Sequence, residues 1–349
     1  MAAYSTKSLN GRDISYYGEL IKELGTGGFG TVYLYRNAAG EEFAIKKTRQ
    51  RDDDVLSLDS VLHEVVFPLN LDHPNIISYL DVYLPTIRRV TIVMPVAQSD
   101  LNGLIVSDYF VGRPDRIQQV TAQLVSALAY LTRHNIIHCD IKPLNVLCFR
   151  NDEVSELRSR SKSPLREDKS RPSGQRPDRG SEEDEVSELS SRSKSPLRRD
   201  HSRSKSPLGD EVEYTYKLSD FGLARDRTCM RENNDMGMYT LWYRPPEILT
   251  NKLYTELTDV WALGCVLYEV FFGVPLFRDA DREFTMLFLI RSKINSEFRS
   301  VPWDGAPPGF QDLVCDMLTI SPRDRKTIFA LQDHYYFDGF DRAAHGISY

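Results

Sequence analysis

Ten residues, His138-Cys139-Asp140-Ile141-Lys142-Pro143-Leu144-Asn145-Val146-Leu147, place a carboxylate, an ammonium and a carboxamide at fixed offsets. Asp140 suits acceptance of a hydroxyl proton, Lys142 the steadying of a phosphate and Asn145 the holding of a metal ion, which together make the chemistry of phosphoryl transfer. Asp and Asn are also common turn formers, so the loop carries this meaning only if partners lie elsewhere in the chain.

Such partners are present. Gly25-Thr26-Gly27-Gly28-Phe29-Gly30 sits between two stretches of strand character. Glycines there let backbone N–H groups approach phosphate oxygens, which side chains would obstruct. Val32, Tyr33 and Tyr35 after the turn are β-formers, so the spacing predicts a hairpin, and an ordinary glycine-rich hairpin is the plain alternative. The next strand, Glu42-Phe43-Ala44-Ile45-Lys46-Lys47, aims Lys46 toward the glycine turn and leaves Lys47 as a surface residue. A helix is predicted over 58–70 and carries Glu64, ahead of His73-Pro74-Asn75-Ile76-Ile77. Pro68 lacks an N–H and crowds the carbonyl four residues back, so a kink one turn after Glu64, and an easily displaced helix, are expected. Farther on, the alternating strand Tyr214 to Ser219 leads into Asp220-Phe221-Gly222, which brings a second carboxylate suited to a metal.

In this order the segments resemble a eukaryotic-type Ser/Thr protein kinase. The kinase pattern His-Arg-Asp-x-x-x-x-Asn is met at His138, Asp140 and Asn145, with Cys139 as the departure, and Asp-Phe-Gly is met at 220–222. The resemblance implies an α+β, bilobal fold over 17–340: a β-rich N-lobe (17–94), a hinge (95–98) and a mainly helical C-lobe (99–340). It implies ATP and Mg2+. Catalysis would fall to Asp140 and Lys142. The nucleotide would be held by Gly25, Thr26, Gly27, Gly28, Phe29, Gly30, Val32, Ala44, Lys46 with Glu64, Met94, Pro95, Ala97, Asn145, Leu147 and Asp220, with Asn145 and Asp220 on the metal. It also implies a buried ion pair between Glu247 and Arg325.

Thr240-Leu241-Trp242-Tyr243-Arg244-Pro245-Pro246-Glu247 is similar to the cyclin-dependent kinase branch, with Pro245 where alanine is usual. In that group the arginine matching Arg244 shapes a pocket for proline after the target residue. The resemblance therefore implies protein substrates with Ser/Thr-Pro sites and a cyclin-like activator. Asp235 stands where that branch carries an activating phosphothreonine, and Cys139 replaces an arginine that would bind the phosphate. Fixed charge of about one unit needs less cationic compensation than a phosphate, so activity without activation-loop phosphorylation is expected. Gly28-Phe29 occupies the pair used for inhibitory phosphorylation in the branch, and the run 277–310 is shorter than the insert typical of the group. Cys139 itself reads as a small buried residue filling the space of the lost arginine, with a redox-sensitive thiol as the alternative.

The 349 residues are 41% hydrophobic, enough for a large core. Five cysteines without a Cys-x-x-Cys pair fit neither a disulfide framework nor a zinc site, which favours a reducing interior, in nucleus or cytoplasm. No run suits a secretory leader or a membrane span. A net charge of −6 makes nucleic acid an improbable main partner. Residues 151–212 contain no aromatic residue and are rich in Ser, Arg, Lys, acids and Pro, so they are expected to form a disordered insertion. Within them Glu-Val-Ser-Glu-Leu occurs at 153 and 185, and Ser-Lys-Ser-Pro-Leu at 161, 193 and 204. Ser163 and Ser195 head Ser-Pro-Leu-Arg, the substrate form favoured by cyclin-dependent kinases, so the chain's own insertion is a candidate substrate. Two other readings stay open: a pseudokinase scaffold, should Pro68 hold Glu64 away from Lys46, and an RNA-associated protein acting through the insertion.

Overall fold

Hydrogen-bond pairing in the computed structural model builds one five-stranded antiparallel sheet, followed by a mainly helical body. The structure describes residues 12–27, 30–48, 58–86, 89–151, 212–227, 240–250, 254–300 and 302–341. Gly28, Phe29, Asp235 and residues 152–211 of the expected insertion lie outside the described residues.

The sheet has the order β1-β2-β3-β5-β4, from β1 (Glu19–Gly27), β2 (Gly30–Arg36), β3 (Glu42–Thr48), β4 (Asp81–Thr86) and β5 (Arg89–Met94). Val32 pairs with Lys46 and Ala44 with Met94. Directly paired residues share a sheet face, and so do residues two apart on a strand. One face therefore presents Val32, Ala44, Lys46 and Met94 together. Gly30 is required where β2 turns back over β3, because a Cβ there would lie 2.4 Å from the Lys47 carbonyl oxygen.

The helix α1 (Leu58–Asn70) covers the predicted run and continues through Pro68. The proline falls in the last turn, so its missing N–H costs one bond beyond Glu64 and leaves the earlier turns intact. The helix is not broken ahead of Glu64.

In the second part, Asp100 caps α2 (Leu101–Val106) by accepting from the Gly103 N–H at 2.8 Å, after the short strand β6 (Ser99–Asp100). Pro114 opens α3 (Pro114–Arg133). In the sequence Ile117, Val120, Leu124, Leu128 and Leu131 recur at helical spacing, and on α3 they form a buried stripe. The strand β7 (Ile136–Ile137) then leads into the Asp140 loop, and β8 (Val146–Arg150) pairs with β9 (Tyr214–Leu218) in the register Arg150 to Tyr214. Tyr214, Tyr216 and Leu218 point inward, as the alternation predicts. The insertion departs from this hairpin, and its expected end residues belong to the hairpin. The Asn151 N–H donates to the Glu213 carbonyl at 3.1 Å, and the Tyr109 hydroxyl donates to the Val212 carbonyl at 2.7 Å.

The strand β10 (Arg225–Asp226) pairs with β7. A capping box of Thr255 and Thr258 starts α4 (Glu256–Phe272), and Gly273 ends it at φ +72°, a left-handed conformation that costs glycine little. Val260, Trp261, Leu263 and Val266 make α4 the centre of this body, against Leu313, Val314 and Met317 of α7 (Phe310–Met317). Between them lie α5 (Glu283–Lys293) and α6 (Ser296–Ser300), and α8 (Ile328–Gln332) follows.

The expected Glu247–Arg325 pair is present and buried. Arg325 donates to both carboxylate oxygens at 2.7 and 3.0 Å, and to the Leu257 and Thr319 carbonyls. Removing one partner of such a pair leaves an uncompensated buried charge. Glu247→Ala is expected to lower the unfolding free energy by about 3–5 kcal/mol, read by urea denaturation followed by tryptophan fluorescence.

Candidate active site

Lys46 is the hub of the first side-chain cluster. Its Nζ forms an ion pair with Glu64 of α1 and another, at 3.0 Å, with Asp220 Oδ1 at the end of β9. Burial works to lower the Lys46 pKa, but Asp220 and Glu64 outweigh it and hold the ammonium above its ordinary range. Burial likewise pushes Asp220 up, and Lys46, with a contribution from Lys142, more than reverses it, so the carboxyl titrates below its usual value. The Glu64 carboxyl remains raised by burial despite Lys46. The two carboxylates share one ammonium. Pro68 therefore does not hold Glu64 away from Lys46.

The second cluster lies in the loop after β7. Asp140 Oδ2 accepts from Lys142 Nζ at 2.6 Å and from Asn145 Nδ2 at 2.8 Å, and the same amide reaches the Asp140 carbonyl at 2.8 Å. Asn145 spends its side-chain donor group on Asp140, which leaves its side-chain Oδ1 to face a cation. The Ser219 N–H donates to the Asn145 backbone carbonyl at 2.9 Å, tying this loop to the residue just before Asp220. Asp220 stands at φ +65°, a left-handed conformation uncommon for a residue with a side chain.

Around these clusters the remaining predicted residues fall on two walls. Val32, Ala44 and Met94 share the Lys46 face of the sheet. Pro95 and Ala97 are half-buried in the connector after β5, and Leu147 on β8 pairs with Asp100 and Lys217. Gly25, Thr26 and Gly27 close the β1–β2 hairpin, where Thr26 Oγ1 lies 3.0 Å from Thr31 Oγ1. A Cβ at Gly25 or Gly27 would meet nothing within 4 Å. No described protein atom fills that side of the turn, as a phosphate cradle needs. Gly28 and Phe29 lie outside the described residues. The donor set of Asp220 carboxylate and Asn145 carboxamide oxygens fits a hard cation such as magnesium, which takes one or two protein oxygens and completes its shell with water and phosphate.

Three supporting residues were not legible as such in the sequence. Asp259, in the first turn of α4, accepts the His138 N–H at 2.6 Å and the Cys139 N–H at 2.9 Å. Thr240 Oγ1 takes a second hydrogen bond from Lys142 Nζ at 3.0 Å. Ser219 offers its carbonyl to His138 Nε2 at 3.1 Å. A carbonyl only accepts, so His138 carries its proton on Nε2, and Nδ1 accepts from the Asp140 N–H at 3.3 Å. Burial lowers the His138 pKa and keeps the ring neutral. Asp259 reads in sequence as an acid favoured at a helix start; Thr240 had already appeared in the Thr-Leu-Trp-Tyr-Arg motif, without this role.

Cys139 is buried with Ile137, Leu223, Ile248 and Tyr254. Burial raises its thiol pKa well above the ordinary cysteine value. The site matches a filler residue, so a soluble maleimide at pH 7.4 is expected to leave Cys139 unlabelled in the folded chain and to label it after denaturation, read by peptide mass spectrometry.

Burial pushes the Asp259 carboxyl up to about 7, against the two backbone N–H bonds that favour its charge. A folded pKa above the unfolded one means that this group's contribution to stability is full below the ordinary carboxylate range and is lost as pH rises through about 7. Acceptance of both loop N–H groups has the opposite dependence, since it is best with the charged form. Amide exchange at His138 and Cys139, corrected for its intrinsic pH dependence, is expected to accelerate on going from pH 8 to pH 6. Asp259→Asn is expected to abolish that difference.

The sequence matches the family described as protein kinase domain over residues 19–158 and 208–337, leaving out most of the insertion. It is similar to the serine/threonine-protein kinase srk1 of Schizosaccharomyces pombe (strain 972 / ATCC 24843), 27% identical over 334 residues, covering 92% of this chain and 51% of that protein. It is also similar to the CTD kinase subunit alpha of the same organism, 25% identical over 296 residues, covering 82% of this chain and 39% of that protein. The chain spans about half or less of the length of these relatives. With the Lys46 and Asp140 clusters joined through Ser219 and Asp220, and the matched segments covering most of both structural parts, the chain belongs to the protein kinase family.

Proposed function

We propose that the chain transfers the γ-phosphoryl group of ATP to Ser or Thr hydroxyls of proteins, with proline after the acceptor. The observation that carries the transfer is the assembled pair of clusters: Lys46 held between Glu64 and Asp220, and Asp140 held by Lys142 and Asn145. Lys46, kept charged in a buried setting, anchors the inner phosphates, and the glycine hairpin covers them with backbone N–H groups. Asp140 commits Oδ2 to Lys142 and Asn145, and Oδ1 remains to orient the acceptor hydroxyl and take its proton. Lys142, also tethered to Thr240, steadies the group in transit. Magnesium bound by Asp220 and Asn145 supplies neutralisation of phosphate charge.

The resemblance of 240–247 to the cyclin-dependent branch supports the proline preference, and the name of the CTD kinase relative agrees with that branch. A cyclin-like activator is proposed to bind α1, where Val66 and Leu69, three residues apart on one face, are 46% and 43% exposed on the helix that carries Glu64. Cys139 supports activity without activation-loop phosphorylation, since its own buried, uncharged side chain brings a phosphate no cation where an arginine would.

Incubation with Mg-ATP and paired Ser-Pro and Ser-Ala peptides tests both levels. Turnover of the Ser-Pro peptide alone is expected, and equal rates on the two would remove the proline preference. Lys46→Met is expected to cut kcat by ~10²–10³-fold and Asp140→Asn by ~10²–10⁴-fold. Undiminished turnover in either variant would refute the assigned roles.

A further inference from the structure

The two most exposed aromatic side chains among the described residues are Phe284 (80%) and Phe288 (64%). They lie four residues apart on α5 and so share one face, with exposed Arg291 three residues farther along, while Met286 and Ile290 on the opposite side are buried. An aromatic pair bordered by a charge is the composition of a protein contact rather than of a solvated face. This stripe is continuous with the substrate side of the active site. It begins next to Glu283, whose Oε1 lies 2.8 Å from Arg244 Nη1, and Arg244 lines a small cavity together with Asp140 and Thr240.

The chain itself contains a segment of matching chemistry. Asp152 to Arg166 recurs as Asp184 to Arg198, with Arg158 against Ser190 as the one difference. Each copy joins an acidic and apolar head, Asp-Glu-Val-Ser-Glu-Leu, to a Ser-Pro-Leu-Arg tail, and in both the serine stands six residues after the leucine of the head. The third Ser-Pro, at Ser206, has no such head. A bare acceptor site needs only the tail. The duplication preserves the head and its spacing as well.

We propose that the heads Asp152–Leu157 and Asp184–Leu189 dock on the Phe284–Phe288–Arg291 stripe and present Ser163 and Ser195 to Asp140. Val154 and Leu157 cover the two phenylalanines, and the acids of the head face Arg291. Six residues reach at most ~20 Å when extended, and the Glu283–Arg244 contact joins the start of α5 to the cavity that Asp140 lines. In the reaction the serine Oγ forms a bond to the γ-phosphorus of ATP, the bond from that phosphorus to the bridging oxygen breaks, the hydroxyl proton passes to Asp140, and ADP leaves. This inference rests on the proline-directed kinase reading, and the test separates the two.

The full chain is assayed on two synthetic peptides, residues 152–167 with the head and residues 158–167 without it. The headed peptide is expected to show a KM about tenfold lower at equal kcat, the scale of one or two good anchor residues. Phe284→Ser with Phe288→Ser is expected to raise its KM to that of the headless peptide and to leave the headless peptide unchanged. Arg291→Glu is expected to weaken the headed peptide several-fold, with recovery when Glu153 and Glu156 of the peptide are exchanged for lysine. Equal KM values for the two peptides, or a preference that survives both sets of substitutions, would overturn the docking. If neither peptide is phosphorylated, the kinase reading fails instead. Fluorescence anisotropy of the labelled 152–167 peptide, with wild-type and Phe284→Ser/Phe288→Ser protein, then decides docking by itself: tighter binding to the wild type sustains it and equal binding rejects it.

Discussion

One ammonium holding two carboxylates is the constraint on which the rest of the site depends. Lys46 belongs to the sheet, Glu64 to α1 and Asp220 to the segment after β9, so the triad joins three elements that share no local sequence. Each partner alone would be costly. A buried carboxylate without its cation, or a buried ammonium without its anions, loses several kcal/mol of solvation that only close pairing restores. The pairing sets where α1 sits against the sheet and ties both to the segment that carries Asp220.

The Asp140 loop is fixed in a different way. Its side chains bond to one another, but its backbone is hung from Asp259, which accepts two successive N–H groups from the buried start of α4. Cys139 stands at φ +65° between them, a conformation that costs a residue with a Cβ about 1–2 kcal/mol. Two charge-assisted hydrogen bonds are of the size needed to offset that cost. A small unbranched side chain at 139 fits the apolar cluster of Ile137, Leu223, Ile248 and Tyr254, so the loop keeps its shape without an arginine at this position.

Much of this was legible in the sequence, and the division has a physical reason. Lys46, Asp140, Asn145 and Asp220 each stand in a short run whose neighbours fix a strand or a turn, so type and spacing identify them, while Glu64 on α1 was placed by the kinase resemblance. The α3 stripe and the β9 alternation were legible because one helix face or every second strand residue is buried. Asp259 escaped because its function is a contact across more than a hundred residues, while its local text is that of an ordinary helix start. Pro68 misled because its effect depends on where the helix ends. In the last turn of α1 it removes a bond that end-fraying would weaken in any case. The outward face of α5 was hidden for the opposite reason. Glu283-Phe284-Thr285-Met286-Leu287-Phe288-Leu289-Ile290 is apolar on every side, and sequence periodicity cannot say which phenylalanines face the core when no polar stripe marks the other side.

The two halves of the site therefore differ in how firmly they are set. The Asp140 loop rests on α4, a helix with a capping box at one end, a glycine terminus at the other and a nearly continuous buried surface between. Glu64 rests on α1, which ends one turn after it in a proline and shows apolar Val66 and Leu69 to solvent. Local stability follows buried contact, so Asp140, the proposed proton acceptor, is held firmly while Glu64, which pairs with Lys46, is held by less. A surface that buries Val66 and Leu69 would add stability where the fold itself supplies least, and would act on ATP orientation without touching the proton acceptor. The acceptor loop is built to be constant, and the nucleotide-facing half is the part of the site on which control can act.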